Sequence, residues 1–152
     1  MQKSDFSFPK KAISQIGKIF IEKGYPKESL SFFFPVNITN KDLQFSFFLP
    51  LVVKISDMVY LIVDYKPASL LSYERGILSL ARSYFKIPPP LAIFTNGKDA
   101  IKILVYSGKS TKNFFNEVIP KFEELRELKF QTISEEKRKK EKKLLLMYLS
   151  GG

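Results

Sequence analysis

The stretch Leu61-Ile62-Val63-Asp64-Tyr65-Lys66-Pro67 ends an apolar run with a carboxylate and an ammonium. Charge is costly to bury without a partner, so a charged pair emerging from such a run asks for a reason. Strand residues i and i+2 face the same side, which makes Asp64 and Lys66 point together. A carboxylate that can hold a hard cation, beside a lysine that orients or helps deprotonate a water, is what magnesium-dependent phosphodiester hydrolysis requires. An ordinary salt bridge at a strand end uses the same two residues, and the spacing alone does not separate the two readings.

Composition removes most other chemistry. The chain has no Cys and no His, which excludes disulfides, thiolate nucleophiles, imidazole bases and the zinc sites built from either. Carboxylates, lysines, arginines, hydroxyls and oxygen-loving metals remain. The 25 basic and 15 acidic residues leave a net charge of +10, compatible with a nucleic-acid or anionic-membrane partner. Arg75, Arg82 and Lys86 recur at i, i+7 and i+11 on the helix face opposite an apolar stripe, as phosphate contacts or as a solvated face. Lys137-Arg138-Lys139-Lys140, with Lys142 and Lys143, is a second basic run that could track a DNA backbone. Leu144 to Tyr148 after it must be covered, by the sheet or by a second copy in a homodimer. Thr95-Asn96-Gly97 reads as a plain turn.

At 152 residues the chain suits one domain, residues 1–152. The polar start and the lack of a long apolar stretch predict a soluble, cytoplasmic protein that is not in a membrane. The pattern predicts a helix over 10–23, a strand over Leu30–Val36 and a turn over Asn37–Asp42. Strands Leu43–Ile55 and Val59–Tyr65 follow, joined by Ser56-Asp57-Met58 as a hairpin. A helix opens at Pro67 and Ser69 and runs to about Phe85, with Leu70, Tyr73, Ile77, Ala81 and Tyr84 on one face. Then come strands Leu91–Thr95 and Ala100–Tyr106, a helix over 120–130, and a basic helix over about 134–149 capped by Ser134. The fold class is α/β, a mixed β-sheet flanked by helices. No GxxxxGK[ST] loop occurs, so the chain carries no translocating motor of that kind.

This order of segments resembles the N-terminal domain of type I restriction enzyme R subunits, a branch of the PD-(D/E)xK nuclease superfamily. The matching pieces are Ile21 to Glu28 after the first helix, Val63-Asp64-Tyr65-Lys66-Pro67, Tyr73-Glu74-Arg75, Ala81-Arg82, Leu91 to Ala100 and Ser107-Gly108-Lys109. Ile119-Pro120 and Ser134 to Tyr148 look like small stand-alone members of the group. The resemblance implies a restriction-endonuclease-like sheet, a Mg2+-dependent endonuclease site on its central hairpin, DNA as substrate and a restriction-system subunit as partner. Asp64 matches the acidic position and Lys66 the lysine. The partner aspartate should lie across the hairpin, where a turn flanked by Ile55 and Val59 places Pro50. Asp57 is in the turn, seven strand residues or roughly 23 Å from Asp64. Glu22 and Glu74 are the carboxylates that could approach from outside the sheet, and residues 69–86 hold no glutamine of the kind the family often carries. Two readings follow: a magnesium endonuclease with an incomplete metal site, or a catalytically inactive nuclease-fold module for binding DNA or protein.

Overall fold

A computed structural model describes residues 2–3, 10–66 and 73–151. In chain order the elements are β1 (Gln2–Lys3), α1 (Lys10–Glu22), β2 (Leu30–Asn40), β3 (Leu43–Ile55), β4 (Met58–Tyr65), α2 (Glu74–Ser83), β5 (Leu91–Thr95), β6 (Asp99–Leu104), β7 (Ser110–Phe114), α3 (Phe115–Val118), α4 (Phe122–Arg126) and α5 (Glu135–Leu149). All strands join one mixed sheet, ordered β1-β3-β4-β5-β6-β7, with β2 branching off β3. One edge of β3 is taken by β2 along its length, so β1 and β4 share the other: β1 at Phe45 and Ser46, β4 from Leu51 to Ile55. The central pair β4–β5 and the short β1–β3 pair are parallel, and the other neighbours are antiparallel. A parallel pair needs a crossover, and α2 supplies the one between β4 and β5.

Helices cover both faces of the sheet. On one face Ile16 and Phe20 of α1, with Phe115, Val118 and Leu125, pack against Leu51, Val53, Leu61, Val63, Leu91 and Ile93. On the other, Ile77, Leu78, Leu80 and Ala81 of α2 and Leu145 of α5 pack against Leu49, Val52, Ile62, Ala92 and Phe94. Alternation along β4 and β5 assigns successive residues to the two cores.

The hairpin between β3 and β4 is tighter than its sequence suggests. Ile55 pairs with Met58, leaving a two-residue turn in which Ser56 and Asp57 both have positive φ, 51° and 66°. That is the signature of a turn whose twist matches the flanking strands. A bulge at Val53/Lys54 then advances β4 by one residue, so Val53 faces Leu61. Turn and bulge offset each other, and the register beyond them is the one a three-residue turn would give.

Other elements depart from expectation. The β2 strand runs on to Asn40, so only Lys41 and Asp42 turn the chain. An edge strand, β7, follows β6, and the helix expected over 120–130 is only α4, with α3 ahead of it. The helix opening at Pro67 and Ser69, and Leu70 on its stripe, lie outside the described residues. Ser134 does cap α5, its Oγ accepting the Lys137 N–H at 3.1 Å.

The basic face expected on α2 is not a free surface, because α5 lies across it. Residues Gly76 to Arg82 are all buried. Glu141, in the middle of the basic run, enters this contact and accepts from Arg75 at 2.8 Å, Ser79 at 3.0 Å and Arg82 at 2.7 Å. Arg82 also donates through Nε to the Val105 carbonyl. Arg138 caps the end of α2, donating to the carbonyls of Ser83, Phe85 and Lys86. Leu145 is buried and Leu144, Leu146, Tyr148 and Leu149 are half-buried, so α5 turns most of its apolar residues onto its own chain.

Burial by itself would raise the Glu141 pKa, but hydrogen bonds from Arg82 and Ser79 and the charges of Arg75 and Arg82 outweigh it and hold it below the ordinary value. A depressed carboxylate stabilises the fold above its unfolded pKa and loses that contribution as pH falls through the folded one. Glu141→Ala strands the buried Arg82 guanidinium and is expected to cost about 3–5 kcal/mol. Arg75 is half-exposed, and Arg75→Ala should cost about 1 kcal/mol or less. Urea denaturation of the two variants checks the ordering, and the Glu141→Ala deficit should shrink under acid conditions.

Candidate functional site

The chemistry-bearing residues gather at the C-terminal ends of the parallel pair. Asp64 lies opposite Phe94 and Tyr65 opposite Thr95, and the Lys66 N–H donates to the Thr95 carbonyl at 3.1 Å, extending the pairing one residue past the strand. Asp64 therefore shares a face with Ile62, under α2, and Lys66 follows it at i+2. The Thr95-Asn96-Gly97 segment is a structural turn: Thr95 Oγ1 accepts the Gly97 N–H at 2.9 Å, and Asn96 Oδ1 accepts those of Lys98 and Asp99.

Aromatic rings gather beside Asp64, which is half-buried. Tyr73 stacks on Phe94 at 5.3 Å, and Tyr148, from the last turns of α5, meets Tyr73 edge-on at 6.0 Å. Gly76 makes this possible, since a Cβ there would lie 2.5 Å from the Tyr148 ring. The Asp64 carboxyl is pushed up to about 6 by burial, against the opposing pull of Lys66 and of the Tyr65 N–H that its Oδ1 accepts at 2.8 Å. The Tyr148 hydroxyl is raised in turn, first by burial and then by the charge of Asp64.

The donors for a metal do not assemble here. The β3–β4 ladder ends at Leu51↔Val63, so the next step places Pro50 opposite Asp64. Pro50 is also where the strands part. Between Phe32↔Leu51 and Phe34↔Leu49 the chain passes through Phe33, which has φ 53°, and Pro50. Side-chain alternation inverts there: Leu49 belongs to the core under α2 and Leu51 to the core under α1. Glu22 sits on α1, on the opposite face of the sheet from Asp64, so the sheet separates the two. Glu74 opens α2 on the correct face, yet the charge acting on Asp64 is that of Lys66. Among the described residues no three carboxylates come together. A hard divalent ion normally takes one or two carboxylates plus phosphates in a near-octahedral shell. A single carboxyl meets only the lower count, and its burial beside two tyrosines disfavours the charged form that a metal needs.

A family model for the N terminus of type I restriction enzyme R proteins matches residues 14–120. The chain belongs to this family. Comparison with curated proteins and with solved structures gave no match. The matched span runs from within α1 through α3 and takes in all strands after β1, and α4 and α5 lie beyond it. The helix that supplies Tyr148, Glu141 and Arg138 thus lies outside the matched residues.

The basic residues divide accordingly. Arg82 and Arg138 are engaged in the contact between α2 and α5, and Arg75, half-exposed, is paired with Glu141. Lys86, Lys137, Lys139, Lys140, Lys142 and Lys143 remain exposed. Sequence reasoning missed Tyr148 and Glu141. Their signal was the spacing Arg138, Glu141, Leu145, Tyr148, an inward stripe inside a segment read only for its charge. No described helix is long and apolar enough to cross a membrane.

A raised carboxyl pKa contributes stability that is complete below the unfolded value and is lost as pH rises through about 6. Asp64→Asn should therefore stabilise the protein at pH 8, by on the order of 1 kcal/mol, and leave it unchanged at pH 3. In carboxyl NMR titrations the Asp64 midpoint should fall near 6, rise in Lys66→Ala and fall in Tyr148→Ala, where water reaches the carboxylate.

Proposed function

We propose that this R-protein N-terminal domain binds DNA without cutting it, a nuclease fold whose metal centre lacks its second carboxylate. The observation that carries the reading is Pro50 one step past the last ladder pair, Leu51↔Val63, on the strand that should offer Asp64 its partner carboxylate. The charge of Lys66 then offsets only part of the cost of holding the Asp64 carboxylate away from water beside Tyr73 and Tyr148. Binding is carried by charge. The net charge is +10, and the outward side of α5 presents Lys137, Lys139, Lys140 and Lys143 along one helix. Membership in a restriction-enzyme family makes DNA the natural polyanion.

Affinity for duplex DNA should fall steeply with salt and vary little with sequence, because released counterions drive it. Replacing Lys137, Lys139, Lys140 and Lys143 by Gln should flatten the salt slope by roughly 0.9 for each lysine that touches a phosphate. Anisotropy titrations over a range of salt concentrations measure this, and a folded wild type that ignores DNA at about 50 mM salt sinks the proposal. With magnesium and supercoiled plasmid, wild type should give no nicking above a Lys66→Ala control. Robust Lys66-dependent cleavage would mean that a carboxylate from elsewhere completes the centre.

A further inference from the structure

On the far side of the sheet from Asp64, a cleft of about 510 Å³ opens between α1 and the Asn96-Gly97 turn. It sits beyond the carboxyl ends of β4 and β5, where open α/β sheets generally receive ligands. Its size is within the usual range for a small-molecule site. The floor is apolar, formed by Ile16 and Phe115. One wall is Tyr65, held half-buried against the turn: a Cβ on Gly97, whose φ is 100°, would stand 3.4 Å from its ring. Lys18 and Lys98 flank the mouth, both exposed, and among the described residues neither takes part in an ion pair. Glu22 closes the remaining side, likewise without an ion-pair partner among the described residues.

We propose that this cleft binds one nucleotide, its base against Tyr65 and its phosphate between Lys18 and Lys98. A flat aromatic wall over an apolar floor suits a nucleobase, whichever base it is, because every base has a π face. Two unpaired cations at the mouth suit a phosphate and disfavour a neutral aromatic ligand. Glu22 is an acceptor only, so it selects bases that present amino groups, such as guanine or cytosine, over thymine. The other large groove, between α1 and β2, is almost wholly apolar and offers nothing for a phosphate except Lys18 and Lys27 at its border. The nucleotide could be free or could be an unpaired residue of a DNA strand. The second source deepens the DNA-binding reading and rests on it.

The test uses the full chain with three ligands: dGMP, a short guanine-containing single strand, and its duplex. Tyr65→Leu and Lys98→Gln are compared with Tyr65→Phe, which keeps the ring, and with the α5 variant lacking Lys137, Lys139, Lys140 and Lys143. The expected result is about tenfold weaker single-strand binding in Tyr65→Leu. Tyr65→Phe should bind as wild type, and duplex binding should be lost only in the α5 variant. Saturable dGMP binding that Tyr65→Leu removes, without any DNA binding, upholds the cleft as a free-nucleotide site and overturns the α5 reading. Single-strand binding unchanged in Tyr65→Leu and Lys98→Gln but lost in the α5 variant overturns the cleft and leaves the α5 reading standing. No binding of any of the three ligands overturns both.

Discussion

Strand β5 is buried on both faces from Leu91 to Thr95, and so is the middle of β4 from Leu61 to Val63. Parallel pairs depend on that double cover, since the crossover lays a helix over one face and the other must also be shielded. From this constraint follow the apolar run, the helices α1 and α2 on opposite sides, and the displacement of every polar group to the ends of the strands. Asp64, Tyr65 and Lys66 stand at the first positions where the cover thins. The two faces then differ. The α2 side is narrowed by Tyr73 and Tyr148, while the α1 side stays open as a cleft.

The contact between α2 and α5 that narrows it is made by charge as much as by packing. The outer side of α2 carries Arg75, Ser79 and Arg82, a surface that would be left to solvent if α5 were absent. Glu141 satisfies all three, and Arg138 repeats the device at the helix end by taking three carbonyls that have no partner within α2. Buried ion pairs add little net stability over apolar residues of the same shape, but breaking one is costly. Their geometry fixes where α5 can lie along α2, and so it fixes where Tyr148 lands.

Much of this was legible in the residues. The β-prone runs Leu43–Ile55 and Val59–Tyr65, and the helical stripe through Ile77 and Ala81, are strong local signals, and a mixed sheet flanked by helices follows from them. Local propensity cannot see compensation. A two-residue turn with a bulge and a three-residue turn without one give the same register at Asp64, and the sequence distinguishes them poorly. The same limit hid the partners of the arginines. A run of lysines with one Glu reads as a solvated face until another helix is known to lie against it. The short strand β7, polar up to Phe114 and exposed throughout, has no apolar alternation to betray it.

The inversion at Phe33 and Pro50 also governs how the sheet meets other sheets. Among the described residues β2 pairs in the sheet with β3 alone, so a long strand that includes Phe32 and Phe34 stands at a sheet edge. A straight edge of that composition would recruit strands from neighbouring molecules and seed aggregation. The left-handed residue at Phe33 breaks the edge's line of donors and acceptors, and Pro35, two residues on, has no N–H to offer. The kink that carries the sheet past the fork thus also keeps a phenylalanine-rich edge from templating its own kind.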